Sequence, residues 1–158
     1  MTVRNLMTAD PSCCTKETSL KEVAQMMVTS DCGAIPVIER DDLRKVVGVV
    51  TDRDIVCRTV AKGENPGKLT AEAVMTSPAV IVRDGDEVDE VIRVMETHRI
   101  RRVPVVDRNG DICGIVSLAD IARHDSKKQT GELVREVSTP ARREATTTVV
   151  REVSTPAR

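Results

Sequence analysis

The chain has 158 residues, enough for one compact domain or two half-size ones. It contains no Phe, Tyr or Trp, so its core must consist of aliphatic side chains and Met, and an aromatic platform for stacking single-stranded nucleic acid is excluded. Its net charge is −1, and bulk electrostatics therefore favours neither a nucleic acid nor a membrane surface as a partner.

Targeting signals and cysteine usage point to an intracellular protein. No apolar run approaches the roughly 18–20 residues of a bilayer-spanning helix, and the first residues lack the apolar segment of a signal peptide. We therefore expect a cytoplasmic location. The five cysteines form no C-x-x-C motif, which favours small buried hydrophobic residues over a disulfide framework or a metal site. A redox role for Cys13, Cys14 or Cys32 stays open as an alternative.

The first predicted helix follows a short extended piece at 12–14. Ser19 can cap it, and Glu22 completes a capping box. An apolar stripe at i, i+3, i+4 and i+7 predicts one buried helix face that ends near Asp31. The stripe consists of Leu20, Val23, Ala24 and Met27.

Two strands and a second helix are predicted next. The apolar run at 35–38 contains Pro36, which favours an early strand position or a sheet edge. Turn residues at 39–42 separate it from a second strand at 45–50. Thr51 ends that strand and can cap a helix over 52–61.

The second half of the chain repeats these landmarks. Met75 and Pro104 follow Met7 and Pro36 by 68 residues, and the later motifs are 66 residues apart. Extended pieces are predicted at 79–82, 103–106 and 111–116, and helices from about 86 and over 118–124. Two copies are too few for a solenoid. We expect an α/β fold of two units, each helix–strand–strand–helix, packed with pseudo-two-fold symmetry and up to two equivalent ligand clefts.

The expected domain boundaries follow from the repeat. Unit 1 is predicted at 1–62, a linker at 63–69 and unit 2 at 70–125. Residues 126–158 form a basic tail in which VREVSTPAR occurs twice, at 134–142 and 150–158. We expect one or two helical turns near 131–137, followed by a weakly ordered end.

A hydroxyl residue and an acid recur at the start of the second helix of each unit. The motifs are GVVTDRD at 48–54 and GIVSLAD at 114–120. Each can be a capping box variant and nothing more. Alternatively, the helix N-terminus and the hydroxyl of Thr51 or Ser117 would bind a phosphate. Asp54 or Asp120 would then accept the two hydrogen bonds of a ribose diol, and the preceding glycine would allow close backbone approach.

The whole pattern resembles a tandem pair of cystathionine-β-synthase (CBS) domains, also called a Bateman module. The resemblance rests on V-M-T, an apolar-striped helix, [IV]-P-V-[IV] and G-[VI]-V-[TS]-x-x-D-I, each present twice within about residues 3–124. The stretches RRVPVVDRNG, GIVSLADIARH and TDRDIV are most similar to small stand-alone bacterial CBS-pair proteins without a catalytic domain.

The resemblance implies a nucleotide site in each unit. The expected ligands are adenosyl compounds: AMP, ADP, ATP, NAD or S-adenosylmethionine. It implies phosphate and ribose contacts from Thr51 with Asp54 and from Ser117 with Asp120. It also implies that the backbone of the strand just before its proline holds the adenine, here at Ala34, Ile35, Arg102 and Val103. A homodimer in the form of a flat disc of four CBS units is implied as well.

The two copies differ in basic residues near the expected clefts. Arg53 lies inside the first motif, and Arg101 and Arg102 precede a strand of the second unit. Each arginine is interpreted either as part of a solvated surface or as a bidentate partner of a polyphosphate.

We expect a regulatory adenine-nucleotide sensor rather than an enzyme, because the sequence contains no H-E-x-x-H motif, Walker loop or nucleophile–base pattern. No cofactor is expected to be required and no metal site is expected. The alternatives are a ligand-free assembly module, a cysteine-based redox protein, and a nucleic-acid-binding protein that uses the net +3 charge of residues 127–158.

Overall fold

The computed structural model describes residues 1–124 and 127–138. The repeated order of strands and helices expected from the sequence is present. The strands are β1 (Thr8–Ala9), β2 (Cys14–Thr15), β3 (Ala34–Arg40), β4 (Leu43–Thr51), β5 (Val82–Arg83), β6 (Arg102–Val106) and β7 (Ile112–Ser117). The helices are α1 (Leu20–Thr29), α2 (Asp52–Arg58), α3 (Ala71–Val74), α4 (Val88–His98), α5 (Leu118–His124) and α6 (Lys127–Ser138), with 3-10 turns at Val3–Asn5, Val60–Lys62 and Pro66–Lys68.

Helix α1 begins as its sequence predicts. The Ser19 hydroxyl accepts a hydrogen bond from the Glu22 amide at 3.2 Å, and the Glu22 carboxylate accepts one from the Ser19 amide at 3.2 Å. This reciprocal capping box satisfies two helix-start amides. Three members of the apolar stripe are buried, whereas Ala24 is exposed. The stripe therefore faces the sheet, and Ala24 lies at its outer margin.

Pro36 and Pro104 are each the third residue of their strand, β3 and β6. Both strands have a neighbouring strand on each side. Pro36 lies opposite Val49 in the antiparallel β3–β4 pair. Both main-chain groups of Val49 bond Thr76, away from β3. In an antiparallel ladder, Pro36 therefore directs its nitrogen toward the β2 side, where pairing begins only at Val37. The missing N–H is tolerated because no ladder bond is required at that point.

The strands form two sheets, and the leading segment of each repeat pairs with the sheet of the other, through β1 in one case and a single bridge in the other. One sheet has the order β2-β3-β4 and the other the order β1-β7-β6-β5. Strand β1, from the start of the chain, pairs with β7 of the second repeat. Thr76, from the start of the second repeat, pairs with Val49 in β4 of the first. Each repeat thus contributes its leading segment to the sheet of the other.

The two hydrophobic cores follow the same exchange. Val3 and Leu6 pack with the second-repeat residues Val91 and Met95. Ala71 and Val74 pack into the core of the first repeat. The boundaries 1–62 and 70–125 remain a prediction from the repeated sequence, and both leading segments lie across them in space.

The motif glycines serve this exchange. A Cβ atom on Gly48 would lie 2.9 Å from the main-chain oxygen of Thr76 and 3.0 Å from the sulfur of Met75. A Cβ on Gly114 would overlap the side chain of Met7. Both glycines allow another group to approach the backbone closely, as the sequence suggested. The approaching group is in each case the leading segment of the other repeat.

The C-terminal helix is longer than expected. Helix α6 covers Lys127–Ser138, whereas one or two turns near 131–137 were predicted. It contacts α4 and α5, and Val137 is buried in the core of the second repeat. This tertiary contact stabilises a segment whose composition alone favours only a short helix. The weakly ordered end predicted beyond it lies outside the described residues.

Candidate functional site

The candidate site begins where β4 passes into α2. The Thr51 amide donates to Asp54 Oδ2 at 2.9 Å, and the Asp54 amide donates to Thr51 Oγ1 at 3.1 Å. Thr51 is therefore both the last residue of β4 and the cap of α2. The capping interpretation of the motif is confirmed, and it holds the hydroxyl and the acid in a fixed relation one turn apart.

The second repeat has the same arrangement with one difference. The Ser117 amide donates to Asp120 Oδ2 at 2.8 Å, and the Asp120 amide donates to Ser117 Oγ at 3.2 Å. Here the Ser117 hydroxyl also donates to Asp120 Oδ2, at 2.6 Å. Among the described residues, the Thr51 hydroxyl proton has no such acceptor. The Thr51 hydroxyl is consequently better prepared to donate to an incoming oxygen.

Both acids are mostly buried and have an arginine partner on their own helix. The Asp54 side chain is 16% exposed, and its Oδ1 lies 3.5 Å from Arg58 Nη2. The Asp120 side chain is 15% exposed, and its Oδ1 lies 3.1 Å from Arg123 Nη1. In each acid, Oδ2 serves the helix cap and Oδ1 faces an arginine. A ribose diol at either acid would have to share or displace that arginine.

The start of α2 differs from the expectation of open amides. The Asp52 amide donates to the Gly33 carbonyl at 3.1 Å, and the Arg53 amide donates to the Asp52 carboxylate at 2.8 Å. The Asp54 amide is taken by Thr51. The first three amides thus have partners within the chain. The Asp52 carboxylate stands where an anion would bind, so a phosphate would have to replace it.

The backbone proposed to hold adenine lies beside the hydroxyl residues. Ala34 is the register partner of Thr51, and Arg102 is the register partner of Ser117. Ile35 and Val103 are 1% and 0% exposed, respectively. Their side chains belong to the cores, so only their main-chain atoms are placed to meet a ligand.

Among the described residues, the three candidate arginines form no ion pair with Asp54 or Asp120, whose partners are Arg58 and Arg123. Arg53, Arg101 and Arg102 are all exposed. Arg53 shares the outward face of α2 with Val56, whereas Asp54 lies on another side of the helix. The structure therefore brings together the hydroxyls, acids and strand backbone, and leaves these three arginines on the surface.

One residue of the site escaped the sequence interpretation. Arg58 donates to the main-chain oxygens of Val74 and Met75, at 2.6 and 3.0 Å, and to Thr76 Oγ1 at 3.1 Å. It therefore links Asp54 to the leading segment of the second repeat. The D-x-x-x-R spacing places the two side chains on one helix face and was the available signal. Nothing in the sequence indicated that the main-chain oxygens of Val74 and Met75 would accept hydrogen bonds from Arg58.

A groove lies beside the start of α2 and a smaller cavity lies in the second repeat. The groove has a volume of about 380 Å³ and is lined by Met27, Val28, Asp31, Cys32, Gly33 and Asp52. The cavity has a volume of about 150 Å³, and Met1, Glu87 and His124 are among its lining residues. His124 occupies the position equivalent to Arg58, 66 residues later.

Burial keeps the adjacent thiols of Cys13 and Cys14 protonated. Burial raises the pKa of the Cys13 thiol to about 11 and that of Cys14 to about 12, which leaves little thiolate at neutral pH.

Within residues 1–124 and 127–138, no three His, Cys, Asp or Glu side chains cluster closely enough to hold a metal ion. In the same ranges, no helix has the length and apolarity needed to span a bilayer.

Comparison with known proteins agrees with the repeat. The CBS domain family model matches residues 3–58 and again 71–127. The uncharacterized protein YlbB of Bacillus subtilis is 38% identical over 144 residues, which are 90% of this chain and 95% of YlbB. Hypoxic response protein 1 of Mycobacterium tuberculosis is 35% identical over 139 residues, which are 88% of this chain and 95% of that protein.

Solved structures with the same fold include ligand-bound proteins. A crystal structure of Hypoxic Response Protein I with two coordinated zinc ions has a TM-score of 0.71 and 36% identity, and covers 80% of this chain and 100% of its own. CBSX2 of Arabidopsis thaliana in complex with AMP has a TM-score of 0.65 and 27% identity, and covers 77% of this chain and 93% of its own.

Proposed function

The chain belongs to the CBS-domain family, and from this premise we propose that it is a regulatory, non-enzymatic module that senses an adenosyl nucleotide. The observation that carries the proposal is the pair of matching hydroxyl–acid motifs, each fixed by reciprocal hydrogen bonds at a strand–helix junction. The AMP bound to the relative CBSX2 supports the ligand class.

The proposed ligand contacts use groups already held in place. The ribose diol binds Oδ1 of Asp54 or Asp120, because Oδ2 of each acid serves the cap. The phosphate lies near the hydroxyl of Thr51 or Ser117. Main-chain groups of the paired strand hold the adenine, since the side chains of Ile35 and Val103 are buried.

The two sites are proposed to differ in affinity. The Thr51 hydroxyl can donate to a phosphate oxygen, whereas the Ser117 hydroxyl already donates to Asp120 at 2.6 Å. A ligand at Ser117 must break that charge-assisted hydrogen bond, which contributes about 1.5–3 kcal/mol. At the Thr51–Asp54 site a phosphate must displace the Asp52 carboxylate, but this side chain is exposed and is held by the neighbouring Arg53 amide. We therefore expect nucleotide to bind first at the Thr51–Asp54 site.

Arg58 connects the Thr51–Asp54 site to the second repeat. It pairs with Asp54 and donates to Val74, Met75 and Thr76, which belong to the exchanged segment of the second repeat. A ribose on Asp54 competes for the same carboxylate and so changes how Arg58 anchors this segment. Binding then shifts the population between two arrangements of the repeats, to the extent that the ligand prefers one of them.

The experiment that tests the proposal is a binding measurement on the purified chain. We expect at least one of AMP, ADP, ATP, NAD and S-adenosylmethionine to raise the melting temperature and to bind by calorimetry. Binding raises the unfolding free energy by about 2.7 kcal/mol when the free ligand is 100 times its dissociation constant. Guanine and cytosine nucleotides serve as controls. If the whole adenosyl panel fails to bind at millimolar concentration, the chain is a ligand-free assembly module instead.

A further inference from the structure

Helix α5 of the second repeat lacks the arginine that α2 of the first repeat carries. The guanidinium of Arg58 donates to the main-chain oxygens of Val74 and Met75, at 2.6 and 3.0 Å, and to Thr76 Oγ1 at 3.1 Å. At the equivalent position, 66 residues later, the second repeat has His124. An imidazole is shorter than an arginine side chain and has fewer N–H donors. The first repeat thus supplies a guanidinium to its acceptors, and the second repeat does not.

The acceptors themselves are present in the second repeat. Residues 6–8 are the equivalents of residues 74–76, which Arg58 contacts. The two segments fold alike, because in each the methionine amide donates to the main-chain oxygen four residues earlier at 2.9 Å. Within residues 1–124 and 127–138, no hydrogen bond to the main-chain oxygen of Leu6 or Met7 is found. A set of oxygens that binds a guanidinium in the first repeat is therefore repeated without its donor.

A cavity lies beside His124. Its volume is about 150 Å³, and Leu6 and Ile121 form part of its apolar wall. Since one water molecule takes up about 30 Å³ of the liquid, this space admits a guanidinium with a short alkyl chain. Leu6 joins the cavity to the acceptors, because its equivalent in the first repeat accepts the shorter of the two main-chain hydrogen bonds from Arg58.

The charges around the cavity differ between the repeats. Glu87 and Asp89 line it, whereas the first repeat has Ser19 and Lys21 at the equivalent positions. The Met1 amine lies 2.7 Å from Glu87 Oε2, and Asp89 has no ion pair in the part of the chain that the structure describes. The second repeat therefore has two additional acids beside the position that lacks a guanidinium. Their charge favours a cation over a neutral group.

We propose that the second repeat binds a guanidinium group that it does not itself supply, at the position that Arg58 occupies in the first repeat. The group donates to the main-chain oxygens of Leu6 and Met7, and Glu87 and Asp89 balance its charge. A planar guanidinium with several donors bonds two neighbouring oxygens at once, whereas an ammonium acts as a point charge. The acids thus select the charge of the ligand, and the main-chain oxygens select its shape.

This site is separate from the proposed nucleotide contacts. Asp120 keeps its own partner, because its Oδ1 lies 3.1 Å from Arg123 Nη1. A guanidinium on the leading segment therefore needs no atom of the ribose site. Two sources supply this chemistry: a small guanidino compound in solution, and an arginine of the tail of the chain itself. The tail arginines are Arg142, Arg143, Arg151 and Arg158.

The test is binding of ethylguanidine to the full-length chain at pH 8 without nucleotide, followed through the amide NMR signals. We expect saturable shifts confined to residues 6–8, 87–89 and 121–124. Ethylamine at the same ionic strength is the control for charge alone and should give only small shifts. Equal shifts with ethylamine, or shifts spread over both repeats, would overturn the proposal. Since no nucleotide is present, none of these outcomes bears on the proposed sensing function.

A variant with Gln in place of all four tail arginines distinguishes the two sources. If the parent binds ethylguanidine as tightly as this variant, the guanidinium comes from solution. If only the variant binds, the tail fills the site in the parent. If neither binds, the second repeat has no guanidinium site and the proposal is refuted.

His124→Arg places a guanidinium at the site within the second repeat itself. In the form of the chain that binds, this substitution should raise the melting temperature and lower the ethylguanidine affinity by about ten-fold or more. His124→Gln is the matched control, because it removes the imidazole without adding a guanidinium, and it should leave the affinity unchanged. Undiminished binding by His124→Arg would show that ethylguanidine lies elsewhere.

Arg58→Ala is the positive control, because it empties the equivalent position in the first repeat. The variant should melt at a lower temperature than the parent, and ethylguanidine should restore part of the loss by binding to the folded state. Ethylamine should not. If ethylguanidine gives no rescue, main-chain oxygens in this arrangement do not hold a free guanidinium, and the proposal for the second repeat is wrong.

Discussion

The guanidinium of Arg58 lies 3.5 Å from a carboxylate oxygen of Asp54, the acid at the candidate nucleotide site. The same guanidinium donates to the main-chain oxygens of Val74 and Met75. A single side chain of α2 therefore contacts both the site and the segment that the second repeat contributes to the first. Arg123 pairs with Asp120 in the second repeat, but no contact of this kind with a leading segment is found for it among the described residues.

We expect Arg58→Met to loosen the exchanged segment. The variant loses three hydrogen bonds, each worth about 0.5–1.5 kcal/mol before discounting for the partial exposure of Arg58. The unfolding free energy should fall by about 1–2 kcal/mol. Hydrogen exchange should accelerate at the amides of Val49 and Thr76, each of which donates to the main-chain oxygen of the other residue across the junction.

Arg123→Met is the control for this variant. The Arg123 side chain is 72% exposed, and its ion pair with Asp120 is of the surface type that contributes about 0–1 kcal/mol. Equal effects of the two substitutions on stability and on exchange near Thr76 would show that Arg58 has no special linking role.

We expect Asp54→Asn to weaken adenine nucleotide binding by about ten- to a hundred-fold, since a hydrogen bond to a charged group contributes roughly 1.5–3 kcal/mol. Asp120→Asn should have a smaller effect on the first binding event, because the Thr51–Asp54 site is the better prepared one. Calorimetry on both variants and on the double variant measures these changes.

If the hydroxyl–acid motifs act only as helix caps, the same variants should give a different result. Asn retains some capping ability, so the loss of stability should be about 0.5–2 kcal/mol with no change in affinity. Melting temperature and affinity must therefore be measured together. A double variant that binds as tightly as the parent would leave the motifs with a structural role only.

We expect Gly114→Ala to destabilise the protein by about 1–3 kcal/mol through overpacking, because the new methyl group would overlap the Met7 side chain. Gly85→Ala is the control, since a Cβ there meets no atom within 4 Å. Chemical denaturation measures both. The double variant Gly114→Ala with Met7→Ala should recover part of the loss, and failure to recover would argue against the contact between these residues.

We expect the cysteines to react in an order set by burial. At pH 7.5, iodoacetamide should label the exposed Cys57 first, whereas Cys13 and Cys14 should react slowly. Their thiolates form only as the pH approaches about 11 and 12, respectively. Peptide mass spectrometry at several pH values measures the rates. Rapid labelling of Cys13 at neutral pH would instead favour the redox alternative.

The same pKa shifts fix the sign of a stability effect. Burial raises the thiol pKa of Cys13 from 9.0 to about 11, so the folded state holds this proton more tightly than the unfolded state. The corresponding stabilisation is complete below pH 9 and is lost as the pH rises toward 11. Cys13→Ala should therefore flatten the fall in unfolding free energy between these pH values, as urea titrations would measure.

The sequence by itself determined the elements whose signals are local. The Ser19–Glu22 capping box, the strand with Pro36 and the cap at Thr51 are all present where the pattern predicted them. Each depends on hydrogen bonds that close within about four residues, so neighbouring residues contain the information. The repeated spacing of these signals was also sufficient to predict two α/β units and the hydroxyl–acid pairs of the candidate site.

Only the tertiary structure decided how the two copies are combined. The contact of Gly114 with Met7, the carbonyl partners of Arg58 and the burial of Val137 of α6 in the core of the second repeat all join residues far apart in the chain. Such contacts leave no periodic pattern in the sequence. Because many apolar segments of suitable size could fill the same core, the sequence does not show which segment packs there. The sequence repeat predicted two units that each form from one continuous segment of the chain. The exchange of leading segments arises because each half-size unit buries more apolar surface with the segment of its neighbour than it would alone.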